Sequence, residues 1–404
     1  MRSEIIKKTL PNGLRMIHVK NKSLRISIQV HIKVGSQNET TENNGITHFL
    51  EHMIWQGSKN YTPTEIKHYL RETEGNFNAV TTHKRTIHYI FGKRRYFEEL
   101  LKRLMDTVCN PNFDDKEIDR ERNVILDEYK KYYDDPEDLL QKTLYSNLFK
   151  DHSLSLPLIG TEENIRSFTR EQLIDYYQKY YVANNMIIVV TGDVKDPFTL
   201  IEKYFTLPSR DLRDLEIKIP NFNNKLKIKE KKKGITKNHL GIGFLTTKYT
   251  DKDFIVFEVI ECLLSLGKSI NLNDTIRQKL GLTYSIHSLT VPFQETGLFF
   301  IKTTVDTNNT DLAITSIFEE LNKLLTIDQK ELDFMKKKCI KAYKKSDQFP
   351  FSLLEKEVLN EFFGYEKANN ERLKDLEAVS IEDIKRTAQK LLDNYIISII
   401  EPEN

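Results

Sequence analysis

The chain has 404 residues, 30% of them charged and 39% hydrophobic, a balance that describes a folded globular protein of two or three domains at roughly 150 residues each and excludes a disordered or membrane-embedded one. Its 61 Lys and Arg are interspersed with 59 Asp and Glu, for a formal net charge of +2, so no broad cationic face for nucleic acid is expected. Cys109, Cys262 and Cys339 form no CxxC pair and no disulfide framework, the opening "MRSEIIKKTLPNGLRMIHVK" has no signal-peptide core, and no run approaches the ~20 apolar residues of a membrane span, so a cytoplasmic protein is expected.

The chain opens with two period-two strands, "LRMIHV" after the turn signal Pro11-Asn12-Gly13, and "RISIQVHIKV". From Gly45 the period lengthens, with Phe49, Leu50 and Met53 forming a helical stripe, and a second helix runs from Thr62-Pro63 to Gly75. A strand, "FNAVTTHKRTIHYIFG", follows, then the helix "RYFEELLKRLMDTVCN" and a long charged helix from about Asp114 to Asp134. "REQLIDYYQKYY" reads as a helix leading into the buried strand "MIIVVTGDV".

Residues 211–233 are polar and rich in lysine and are expected to be a linker between a domain at 1–210 and one at 234–404, the lysines marking a solvated linker or strand edge rather than a binding patch. Beyond it the order recurs: strand "HLGIGFLTT", helix "DFIVFEVIECLLSLG", strands "LTYSIHSLTV" and "GLFFIKTTV", three helices, and the strand "YIISII". This predicts an α+β chain of two homologous domains, each a mainly antiparallel sheet packed with helices.

The segment "GITHFLEHMIWQG", residues 45–57, carries the densest chemistry. His48 and His52 are four apart and share a helical face, where two imidazole nitrogens can meet one ion. Glu51 lies on a neighbouring line of that face, where a base that deprotonates a metal-activated water has to stand. This order mirrors the H-E-x-x-H helix and occurs among zinc peptidases. A catalytic zinc needs a third protein ligand. The best candidate is Glu128, 76 positions after His52 (128 − 52), with Glu121 two helical turns earlier on the same face, able to hydrogen-bond a ligand imidazole. The helical spacing allows this assignment without selecting it, and an amphipathic helix with incidental polar residues stands beside it as the bland alternative. His83 and His88 read as polar strand positions, Glu42, Asp134 and Asp135 as solvated or capping residues, and the tyrosines of "YKKYY" and "YYQKYY" as helix packing.

Taken in order, "GITHFLEHMIWQGS", "GNFNAVTTHKRTIHY", "ERNVILDEY", "GTEENI", "NNMIIVVTGDV" and "RQKLGLTYS" resemble successive signatures of the pitrilysin family of zinc peptidases, which includes insulin-degrading enzyme and the β subunit of mitochondrial processing peptidase. The chain is similar to a short, bacterial-type member that supplies one half of a clamshell. The resemblance implies one zinc per chain on His48, His52 and Glu128, with Glu51 as general base and Glu121 as supporting carboxylate. It also implies that the edge strand around Phe77, Asn78, Ala79 and Val80 pairs with an extended peptide substrate, and that Arg277 and Tyr284 clamp that substrate, Tyr284 helping to stabilise the attacked carbonyl. The expected activity is endopeptidase hydrolysis in an enclosed chamber. Because both motifs lie on one chain, a homodimer is the simpler assembly, with a heterodimer of related subunits as the alternative. "LLSLGKSINLND", before Arg277, has one glycine and the bulky Ile270 where relatives carry several small residues. A silent scaffold subunit, or an enzyme dedicated to one precursor, are the competing functions.

Overall fold

The computed structural model describes residues 4–212, 222, 224–346, 350–364 and 369–403. In chain order the first part holds β1 (Glu4–Thr9), β2 (Arg15–Lys20), β3 (Arg25–Ile32), α1 (Ile46–Ile54), α2 (Pro63–Glu72), β4 (Asn76–Thr81), β5 (Thr86–Lys93), α3 (Phe97–Cys109), α4 (Asp115–Asp134), α5 (Pro136–Leu148), α6 (Glu162–Ser167), α7 (Arg170–Tyr180), β6 (Met186–Gly192) and α8 (Pro197–Tyr204). The remainder holds β7 (Lys225–Lys232), β8 (Asn238–Thr246), α9 (Phe254–Leu266), β9 (Ile286–Pro292), β10 (Gly297–Val305), α10 (Thr310–Lys323), α11 (Gln329–Ser346), α12 (Pro350–Phe363), α13 (Asn369–Ala378), α14 (Ile381–Asp393) and β11 (Tyr395–Pro402).

Two compact units result: Met1–Lys131, Leu156–Glu216 and Gln348–Val358 form one, and Tyr132–Ser155, Ile217–Asp347 and Leu359–Asn404 the other. The chain therefore does not divide at one linker, as a boundary near 210 would have it. α5 joins the second unit because Leu139, Leu140 and Leu144 cluster with Ile396 and Ile400 of β11. Gly241 of β8 admits that helix, since a Cβ there would lie 2.8 Å from Leu144 Cδ1. Of the expected linker, residues 225–232 are strand β7 and residues 213–221 and 223 lie outside the described residues. The lysines of "KLKIKEKK" line an edge strand, where charge discourages pairing with another chain.

In the first unit a six-stranded sheet runs β1-β2-β6-β3-β5-β4, antiparallel except for the β2/β6 pair. Ile26, Ile28, Val30 and Ile32 of β3 share one buried cluster with Phe49, Leu50 and Met53 of α1, as the alternation and the helical stripe predict. The run 77–92, read as one strand, is a hairpin. The Thr82 hydroxyl accepts from the backbone N–H groups of Lys84 (3.2 Å) and Arg85 (3.1 Å) and folds the turn with neither Gly nor Pro.

In the second unit the order is β7-β11-β8-β10-β9, again with one parallel pair, β11/β7. Strand order and pairing sense match those of β2-β6-β3-β5-β4, so the expected duplication is present as topology. Capping boxes at Thr62/Glu65, Thr169/Gln172 and Ser380/Asp383 start α2, α7 and α14, each worth about 1 kcal/mol. Cys109, Cys262 and Cys339 are free thiols, and no helix among the described residues is long and apolar enough to cross a membrane.

Candidate metal centre

α1 packs its apolar stripe into the first core and turns His48, Glu51 and His52 toward a cavity of about 440 Å³ whose opposite wall is β4. The two imidazoles stand edge to face with ring centroids 4.8 Å apart. Glu128 reaches them from α4: its Oε2 lies 3.7 Å from His48 Nε2 and 3.4 Å from His52 Nε2. One donor atom from each of the three lies within 4.8 Å of the others. On a tetrahedral zinc with bonds of ~2.0–2.2 Å the donors lie roughly 3.3–3.6 Å apart; the Glu128 contacts at 3.4 and 3.7 Å come near that spacing, and the donor types are those zinc takes.

Carboxylates crowd these two imidazoles. Glu51, Glu121 and Glu128 converge on two imidazoles. His52 Nδ1 lies 3.1 Å from Glu121 Oε2, which leaves Nε2 directed at Glu128. Burial would push the His52 imidazole down, but its bonds to Glu121 and Glu128 outweigh burial and raise it to about 10. Burial, and then the neighbouring His52, push His48 down to about 4. Glu121 is itself held by Arg120, whose Nη2 lies 3.3 Å from its Oε1 and 2.8 Å from Gln56 Oε1.

Glu51 is not among the three clustered donors. Burial pushes its carboxyl up, and the hydroxyl of Thr81, at the end of β4, donates to its Oε2. Among the described residues β4 pairs with β5 alone and is the sheet edge, with Phe77 and Ala79 half-buried and Asn78 and Val80 exposed. Beneath it Trp55 packs on Phe77 with ring centroids 4.3 Å apart, and the indole Nε1 donates to His88 Nδ1 at 3.2 Å. His88 is therefore a core histidine, and His83 lies in the hairpin turn rather than on a strand.

Arg277 and Tyr284 belong to the second unit, where the Arg277 guanidinium carbon lies 5.3 Å from the Tyr284 ring centre and the tyrosine is 86% exposed. Arg277 sits in a π-helical turn, Asn273–Lys279. Sequence reasoning missed Thr81, Trp55 and Arg120, because a lone threonine, tryptophan or arginine has no spacing signal of its own.

The insulinase (peptidase family M16) model matches residues 15–162, and that of the peptidase M16 inactive domain matches residues 167–339. The chain belongs to peptidase family M16. Among M16 relatives, the Bacillus subtilis protein described as an uncharacterized zinc protease, YmxG, is 29% identical over 400 residues, covering 98% of this chain and 97% of that one. A probable mitochondrial-processing peptidase subunit beta of Arabidopsis thaliana is 27% identical over 330 residues, covering 78% of this chain and 62% of its own. The crystal structure of a protease from Helicobacter pylori has the same fold, with a TM-score of 0.87 at 22% identity, covering 99% of this chain and 100% of that one.

The match to an inactive domain has a counterpart in the second unit. α9 repeats the spacing of the metal helix with Glu258, Glu261 and Cys262 where α1 has His48, Glu51 and His52. There Glu258 pairs with the buried guanidinium of Arg372 at 2.6 Å.

Proposed function

We propose that this M16 chain is a zinc-dependent endopeptidase acting on extended peptides, with one zinc held by His48, His52 and Glu128. The observation that carries the reading is the convergence of those three donor groups beside the buried carboxylate of Glu51, on the wall of a cavity bounded by a free strand edge. A zinc ion at that position supplies Lewis acidity toward a peptide carbonyl and makes water a stronger acid. Glu51 takes the proton of the attacking water and delivers it to the leaving amine, its raised pKa suiting it to both transfers. Glu121 keeps the His52 proton on Nδ1, so that Nε2 is the ligating atom. Phe77, Asn78, Ala79 and Val80 receive the peptide backbone as an added strand.

Arg277 and Tyr284 bind substrate in this scheme, and their unit faces the zinc site of a second copy in a homodimer. The exposure of Tyr284 with Leu266, Leu280 and Leu289, at 42–86%, supports a partner-covered surface there. A heterodimer with a related subunit is the alternative, favoured by the description of the Arabidopsis relative as a subunit beta. The free thiols accord with a reducing, cytoplasmic location. Chelation followed by metal return tests the reading: cleavage of a quenched peptide library should vanish with chelator and return with zinc. Cleavage that persists without metal would refute it.

A further inference from the structure

Glu39 is 4% exposed, lies outside every catalytic role assigned above, and sits at the start of the metal helix. Its Oε2 accepts from Gly45 N and Asn44 Nδ2, both at 2.8 Å, and its Oε1 accepts from Thr47 N at 2.9 Å. α1 has no capping side chain of its own, because Gly45 occupies the cap position with φ +99. A buried carboxylate borrowed from another segment thus satisfies the helix's first N–H groups and meets its positive end.

The segment that delivers Glu39 is fastened at its other end to the hairpin that closes β4. Ser36 N donates to Thr82 O at 3.2 Å, Gln37 N donates to His83 O at 3.0 Å, and the Ser36 hydroxyl lies 2.6 Å from His83 Nδ1. Gly35 passes so close that a Cβ there would lie 2.2 Å from Thr82 O. Thr81, one residue before that turn, donates to Glu51. Residues 35–39 therefore bridge the edge strand and the helix that bears His48, Glu51 and His52.

We infer that Glu39 is a positioning residue: through the bridge 35–39 it fixes the start of α1 against β4, and so sets His48 and Glu51 relative to a peptide lying along that edge. The inference rests on the peptidase reading for its substrate and on the hydrogen bonds above for its mechanics. Gln in place of Glu39 puts an amide N–H against backbone N–H donors, whereas Asp keeps both acceptor oxygens on a shorter stem.

The test compares wild type, Glu39→Gln and Glu39→Asp by amide hydrogen exchange over residues 46–54, zinc affinity, and kcat and KM on a quenched peptide. We expect Glu39→Gln to exchange faster in α1 with β2, β3 and β6 unchanged, to bind zinc roughly tenfold more weakly, and to lose roughly tenfold in kcat with KM within about twofold. Glu39→Asp should recover most of each loss. Wild-type exchange and zinc affinity in Glu39→Gln would overturn the inference, as would a loss of stability spread over the whole unit with zinc affinity per folded molecule unchanged. If Glu39→Gln does not fold, Glu39→Asp decides by the same readout: a residual rise in exchange confined to α1, from the shorter stem, supports the inference, and exchange equal to wild type or raised throughout the unit overturns it. Exchange in α1 needs neither metal nor substrate, so a wild-type protein without peptidase activity would sink the peptidase reading while leaving the bridge to be judged by exchange.

Discussion

His52 Nδ1 stands 3.1 Å from Glu121 Oε2, a contact that helps to orient the imidazole whose other nitrogen faces Glu128. Removing the negative charge while keeping the shape should loosen the ring without emptying the pocket. Glu121→Gln is expected to bind zinc ~10–100-fold more weakly than wild type, measured by competition with a chromophoric chelator. An unchanged affinity would mean that Glu121 only fills space.

Thr81 couples the edge strand to the base. Its hydroxyl donates to Glu51 Oε2, lowering a carboxyl that burial otherwise raises. Thr81→Val keeps the side-chain volume and drops the donor, so kcat should fall roughly tenfold at unchanged zinc content. Full turnover in Thr81→Val would remove the hydroxyl from the account.

In the second unit, Glu137 accepts from Lys302 Nζ at 2.8 Å and lies 2.9 Å from His239 Nδ1. The bond to His239, followed by that to Lys302, holds its carboxyl down at about 2. A carboxylate with a depressed folded pKa binds fewer protons in the native state than when unfolded. Its stabilisation is present above an unfolded value of ~4.3 and is lost as pH falls through about 2. Because the side chain is 40% exposed, solvent screening reduces the contribution to about 1 kcal/mol. Glu137→Gln should therefore be less stable than wild type near neutral pH, with the gap closing between about pH 4 and pH 2, as measured by urea unfolding at each pH. A gap independent of pH would assign the effect to packing.

The Glu258–Arg372 pair stands on α9 at the position that His48 holds on α1. Arg372→Met should destabilise the protein by roughly 3 kcal/mol, because it strands a partly buried carboxylate, and thermal unfolding reads the loss. Little change in melting temperature would show that Glu258 is hydrated instead.

Much of this architecture is legible in the residues. Alternation gave β2 and β3 their places, continuous apolar runs gave β6 and β11 theirs, and the three- and four-residue spacings put His48, Glu51 and His52 on one helix face. Helical period put Glu121 and Glu128 on one face without selecting them as partners of His52, which lies 69 and 76 residues earlier (121 − 52 and 128 − 52). What stayed hidden depends on contacts distant in sequence. β7 alternates in the sequence but its lysine content and polar surroundings read as linker, and it is fixed as a strand by pairing with β11, more than 160 residues later. The turn at Thr82 uses a side-chain bond where glycine or proline would have signalled it. α5 starts at Asp135-Pro136, where Asp135 caps the helix by accepting from Glu137 N and Asp138 N, and its membership in the second unit follows from leucines that meet β11. Glu39, seven residues before its helix, has no spacing that would reveal it.

The central claim is that His48, His52 and Glu128 hold a zinc ion beside Glu51 as the base. Metal content per chain, measured together with cleavage of a quenched fluorescent peptide library for wild type and Glu51→Gln, tests it most directly. The account predicts one zinc per chain in both proteins and cleavage by wild type alone. Equal cleavage by Glu51→Gln, or a wild-type protein that takes up no zinc, would contradict it.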